Sequence, residues 1–194
     1  VATDFILRHE VKRQARKELE ARGLQANING IIKAVREGKL ALFENYDTAG
    51  ISFGGVDESG LTPLHAAIKA NDQDAVDQVL LRHNQVKKTV DTATKADGMT
   101  PLKRALNRED YMLASRLIDH LGAEVNIEKE PGLPYLIDAM NQDNGDLRNY
   151  LLSKGVDVNY QGSQPHSPLA MAADSDDLQL MERLISQGAT INTP

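Results

Sequence analysis

Gly60-Leu61-Thr62-Pro63-Leu64-His65-Ala66-Ala67 is the stretch on which the reading of this chain turns. Gly60 supplies a backbone position free to take positive φ. The Thr62 hydroxyl is suited to cap a helix, and Pro63 falls at the first helical position, where a missing N–H costs nothing. Leu64 and the two alanines then open a short helix with a narrow apolar face. Outward from this stretch, related signals return at Thr100-Pro101-Leu102, at Pro134-Tyr135-Leu136 and at Ser167-Pro168-Leu169. Asn29, 33 residues before Thr62, marks a degenerate first copy. A closing pattern of glycine, apolar, any residue, apolar and asparagine recurs independently at Gly122, Gly155 and Gly188, in two steps of 33 residues. Each copy is therefore one supersecondary unit in a tandem array.

Thr62, Pro63, Leu64, His65 and Ala67 resemble the Thr-Pro-Leu-His-x-Ala signature of the ankyrin repeat. The resemblance implies an all-α fold, a solenoid of stacked helix-turn-helix pairs. Residues 1–25 are expected to form an N-terminal capping helix and residues 26–194 the repeat array, with repeats near 26–56, 57–94, 95–128, 129–161 and 162–194. Residues 4–22 contain no Pro or Gly and are rich in good helix formers, with Gly23 as a stop. Phe5, Ile6, His9, Ala15 and Leu19 form a discontinuous apolar stripe there, and six basic residues face four acidic ones. That helix reads either as a cap or as a basic partner-binding arm.

Several departures from the family pattern carry expectations of their own. Asn71 stands where the family places glycine between its two helices, and asparagine tolerates the left-handed conformation. Thr62 and Thr100 are 38 residues apart, and the polar surplus near His83 to Lys95 predicts a longer loop. Met112, Leu113, Leu117, Ile118 and Leu121 are expected to supply the second helix of repeat three, and Leu178, Leu180, Met181, Leu184 and Ile185 that of repeat five. Pro134 has no hydroxyl to cap its helix and Arg148 replaces an apolar residue, so repeat four should be the weakest layer.

Composition narrows the function. The chain of 194 residues is 41% hydrophobic, 4% aromatic and formally −6 in charge, which gives no basic face for nucleic acid. It has no cysteine, hence no disulfide and no thiolate metal site. No apolar run approaches the ~20 residues of a membrane span. These features suit the cytoplasm or, after removal of a leader, the periplasm. The five histidines show no metal-ligand spacing, and Asp174-Ser175-Asp176-Asp177 lacks the glycine and distal glutamate of a calcium loop. There is neither a nucleophile elbow nor a phosphate-binding loop. No cofactor or metal is expected, and the chain reads as noncatalytic.

The family resemblance implies binding of a protein partner through the concave face, by a monomer or within a heterocomplex. Carried over position by position, the partner-binding residues are Glu58, Leu61 and Lys69 in repeat two, Met99, Asn107, Arg108 and Tyr111 in repeat three, Leu133, Asn141 and Gln142 in repeat four, and His166 and Asp174 in repeat five. Leu61, Met99 and Leu133 share one repeat position. They form either an exposed apolar ridge or contacts against neighbouring hairpin backbone. Residues 138–182 carry eight acidic and two basic side chains, a solvated face or a steering patch for a basic partner. Besides a binding module, the resemblance admits a scaffold subunit or a regulator, such as an immunity protein that neutralises a cognate toxin enzyme.

Overall fold

The computed structural model describes residues 2–126 and 134–191. Among these residues there are twelve α-helices and no strand. They run α1 (Ala2–Ala21), α2 (Ile28–Arg36), α3 (Phe43–Ala49), α4 (Pro63–Ala70), α5 (Gln73–Leu80), α6 (His83–Val86), α7 (Pro101–Asn107), α8 (Tyr111–Asp119), α9 (Tyr135–Asn141), α10 (Gly145–Ser153), α11 (Pro168–Asp174) and α12 (Leu178–Ser186). The chain divides into two compact units, Val1–Ala105 with Leu113–Ala123, and Leu106–Met112 with Glu124–Pro194.

In the first unit the opening motif forms as its chemistry dictates. Thr62 Oγ1 accepts the His65 N–H at 3.1 Å, Pro63 starts α4, and Asn71 ends it in the left-handed region at φ 57°. Asp72 then caps α5 by accepting the Ala75 N–H at 2.9 Å. Helix α4 packs on α2 and on α5, burying Leu64, Ala66, Ala67 and Ile68 together with Ala75, Val76 and Val79. Thr100 repeats the cap of Thr62, its hydroxyl accepting the Lys103 N–H at 3.1 Å.

The first repeat corrects one expectation. The capping residue of α2 is Asn27, whose Oδ1 accepts the Gly30 N–H at 3.0 Å; Asn29 lies inside the helix. Gly30 is required there, because a Cβ would stand 1.8 Å from the Gln25 carbonyl oxygen. Beneath α2, Phe43, Tyr46 and Phe53 form an aromatic cluster with edge-to-face rings. The Arg82 guanidinium lies 4.4 Å from the Phe53 ring centroid and pairs with Asp47 at 2.6 Å.

The surplus after α5 is folded rather than looped. It makes α6 and a 3₁₀ turn at Lys87–Thr89, and Val86 and Val90, four residues apart, are both buried. Gln85 Oε1 accepts the Phe53 N–H at 2.7 Å, and Gly54 lets the Gln85 backbone pass where a Cβ would be 2.0 Å from its carbonyl oxygen. Two valines at helical spacing thus overrode the polar character of the segment.

Helix α1 packs on α3, burying Ala15 and Leu19. The rest of its expected stripe fails, since Phe5 and Ile6 are about two-thirds exposed. Met112 is likewise turned outward at 78% exposure, and Leu178 and Ile185 are exposed. Each lies on the solvent side of a helix whose neighbours at helical spacing are already buried.

In the second unit, α9 pairs with α10 and α11 with α12, and α11 packs on α9. Ser167 caps α11 through the Ala170 N–H, whereas Pro134 gives α9 no side-chain cap. The closing asparagines fasten one repeat to the next. Asn126 Oδ1 accepts the Asp157 N–H, and Asn159 Oδ1 accepts the Thr190 N–H, in both cases across 31 residues.

Candidate partner-binding surface

The hairpin tip of repeat two is wound around Asp57, whose Oδ1 accepts the Ser59 and Leu61 N–H groups at 2.9 and 2.8 Å. A backbone bond from Asp57 N–H to the Leu61 carbonyl closes the turn. This winding leaves Glu58 exposed and draws Leu61 in to 8% exposure. The tip of repeat three is built around Asp97. Its carboxylate accepts the Met99 N–H at 3.1 Å, the Thr94 hydroxyl and Arg104 Nη2 at 2.7 Å. Burial alone opposes its ionisation, but these three donors outweigh that effect and hold its pKa down to about 2.

His65 joins the two tips. Its side chain is wholly buried, Nε2–H donates to the Met99 carbonyl at 3.1 Å, and Nδ1 sits 2.9 Å from Thr62 Oγ1. Burial is the main reason its pKa is pushed down to about 4. Met99 is therefore half-buried and engaged through both its N–H and its carbonyl. The apolar ridge is corrected accordingly: Leu61 is buried and Met99 only partly open, because the side-chain-wound turns fold this repeat position toward the helices. Leu133 lies outside the described residues.

The other expected residues fall into two groups. In the first unit Lys69 is exposed at the end of α4, beside the exposed Ala70. In the second unit Asn107 and Arg108 end α7, Asn141 and Gln142 end α9, and Asp174 ends α11; all five are exposed. His166 is exposed ahead of the Ser167 cap. Tyr111 departs from the set. It opens α8, and its ring stacks on Tyr150 of α10 at 4.8 Å, which commits it to packing between second helices.

The left-handed turn expected at Asn71 recurs in three further repeats, which the sequence reading did not foresee. The residue after each of these helix ends is left-handed and is never glycine: Asn71, Glu109, Asp143 and Asp176 have φ between 50° and 57°. The next residue caps the second helix at Asp72, Asn144 and Asp177. The pairing of a left-handed polar residue with an acidic or amide cap was its only trace in the sequence. It also explains part of the acidic run over 138–182, since Asp143, Asp176 and Asp177 serve turns and Asp157 accepts the Asn159 N–H.

Among the described residues no group of three or more His, Asp or Glu is placed to hold a metal ion, and no helix is long and apolar enough to cross a membrane. An open groove of about 1040 Å³ in the first unit, bordered by Leu81, His83, Arg116 and His120, contains none of the expected partner-binding residues.

Comparison with known proteins agrees with this architecture. The family model "Ankyrin repeats (3 copies)" matches residues 31–129, just over half of the chain. Transient receptor potential cation channel subfamily A member 1 of Homo sapiens is 27% identical over 157 residues, covering 80% of this chain and 14% of that protein. The chain thus spans only a small part of that relative's length. From the helix pairs, their caps and the matched family model together, this chain belongs to the ankyrin repeat family, whose repeats are protein-interaction modules.

Proposed function

We propose that the chain is a noncatalytic module that recognises a protein partner through the exposed ends of its first helices. The observation that carries this reading is the repeat position itself. Lys69-Ala70, Asn107-Arg108, Asn141-Gln142 and Asp174-Ser175 occupy equivalent places, are exposed, and differ from repeat to repeat. The positions around them, by contrast, repeat the same caps and buried apolar residues. Each pair is followed by a left-handed turn residue, which fixes the direction in which the helix end points. Chemically varied side chains on backbone positions set by the turns can discriminate partners by hydrogen bonds and charge. With Leu61 withdrawn, the surface is polar rather than a hydrophobic ridge.

Site-specific photocrosslinking tests this and identifies the partner in the same experiment. A benzophenone amino acid placed singly at Lys69, Arg108 or Gln142 should give discrete protein adducts in the source cell. The same probe at Gln78 of α5 or Glu182 of α12 should give none. Adducts confined to Gln78 and Glu182 would move the interface to the second helices. An adduct with an enzyme whose activity is then lost on binding would give the module the role of a neutraliser.

A further inference from the structure

Between repeats four and five lies a cavity of about 470 Å³, walled by Met140, Met171 and Leu180 and edged by Asp143, Arg148, Ser175 and Asp177. Its lining departs from repeat two at three packing positions. Arg148 stands in the place of Val76, Met140 in that of Ile68 and Met171 in that of Ala66, and all three residues of repeat two are buried. The Arg148 guanidinium lies 3.6 Å from Asp177 Oδ2, and its Nε is buried without a partner among the described residues. Both methionines are partly exposed, and their flexible thioether chains adapt to the shape of whatever enters. Asp143 and Ser175 at the edge are exposed, so the cavity opens beside Asn141-Gln142 and Asp174-Ser175, two of the helix ends assigned above. Its volume is at the small end of ligand pockets and takes a side chain rather than a helix.

Charge indicates what the cavity takes. Residues 141–148 and 174–180, the helix ends, turns and caps around it, carry Asp143, Asp146, Asp174, Asp176 and Asp177 against Arg148 alone. Arg148 is paired with Asp177, whose Oδ1 also accepts the Leu180 N–H at 3.0 Å. The other cations of these elements stand on later turns, Lys154 over the Tyr150 ring and Arg183 donating to Asn149, while Asp138 accepts a bond from Gln142. Among the described residues none donates to the Asp143, Asp174 or Asp176 carboxylate, and all three are exposed. Local structure does not require these charges. Asn71 meets the left-handed backbone of Asp143 and Asp176 without one, and Asp174 ends α11, where the helix dipole disfavours an anion. We infer that the cavity receives a basic side chain, lysine or arginine, projecting from the protein partner, its methylenes against Met140 and Met171 and its charge met by the surrounding carboxylates. This rests on the reading of the helix ends as the partner surface.

The test uses the full chain and three fluorescein-labelled peptides of one glycine–serine frame, carrying lysine, glutamate or norleucine, followed by fluorescence anisotropy and by amide shifts. The lysine peptide should bind at least about tenfold more tightly than either comparator, weaken with added salt, and shift amides in α9, α11 and the turns that follow them. Asp143→Asn with Asp174→Asn should weaken it at least about fivefold. Asp74→Asn with Glu182→Gln, an equal loss of charge at exposed second-helix positions, should leave it within about twofold. Met171→Phe narrows the cavity without touching charge and should also weaken it, with circular dichroism unchanged; if that variant unfolds, the two charge pairs decide. Equal weakening by both charge pairs, norleucine binding as tightly as lysine, or shifts centred elsewhere overturns the inference. In the photocrosslinking experiment, Asp143→Asn with Asp174→Asn should cut the adduct yield at Gln142. An undiminished yield refutes the basic occupant and leaves the surface reading standing, whereas no adduct at Gln142 in the parent removes both.

Discussion

Lowering the pH from about 7 to about 5 should cost this protein about 2 kcal/mol through His65 alone. The ring is wholly buried and its bonds suit only the neutral form, with Nε2–H given to the Met99 carbonyl and Nδ1 facing Thr62 Oγ1 and the Thr62 N–H. A proton on Nδ1 would point at the Thr62 N–H, which is itself a donor. Burial lowers the folded-state pKa from 6.5 to about 4. The unfolded chain therefore takes up the proton first, so the stabilisation is complete above about pH 6.5 and is lost as pH falls toward 4. The full difference corresponds to about 3 kcal/mol, of which about 2 appears by pH 5. Urea unfolding of the parent and of His65→Gln at both pH values measures it. The other four histidines are exposed and the carboxylates are common to both proteins, so their contributions cancel in the difference. The Gln variant should start less stable and lose about 2 kcal/mol less than the parent on acidification. Equal losses in the two proteins, or a His65 imidazole signal, assigned by its absence from His65→Gln, that titrates near pH 6.5 in the folded parent, would refute the argument.

Three further outcomes follow from the backbone. Glu109→Gly should raise stability by about 0.5–1 kcal/mol, because Glu109 holds φ 57° with a side chain poorly suited to that region; the urea midpoint reports it. Gly54→Ala should cost about 1–3 kcal/mol, since its Cβ would meet the Gln85 carbonyl, and thermal unfolding should fall accordingly. Pro134→Thr should add the missing cap of α9 and gain about 1 kcal/mol, seen as slower amide exchange in α9 and α10. An unchanged exchange rate there would mean that the uncapped end does not limit the layer.

Legibility followed the range of the interaction. Thr62, Pro63, Thr100 and Ser167 were readable because a cap is formed within one turn of chain and needs no distant partner. The same locality made the five helix pairs plain. What escaped depended on neighbours far along the chain. The segment around Val86 looked like a polar loop until Phe53 and Gly54, some 32 residues away, supplied a partner for Gln85. Leu61 shares the hairpin position of Met99, but its exposure is decided by how tightly Asp57 winds the turn. Met112 and Leu178 are apolar by composition and exposed by phase. Of the candidate surface, the helix-end positions were legible from repeat register; the withdrawal of the apolar row and the diversion of Tyr111 onto Tyr150 were not.

The asparagine bonds at Asn126 and Asn159 bear on how such a chain changes length. Each bond joins an acceptor in one repeat to a donor 31 residues later in the next, so donor and acceptor never belong to the same repeat. A recombination event that duplicates or deletes one 33-residue repeat at these junctions leaves each with one acceptor upstream and one donor downstream. The joint heals without compensating mutations. Insertions of other sizes do not share this property. The surplus that became α6 had to acquire its own fastenings, Gln85 to Phe53 and two buried valines, before it could be carried as a permanent part of the molecule.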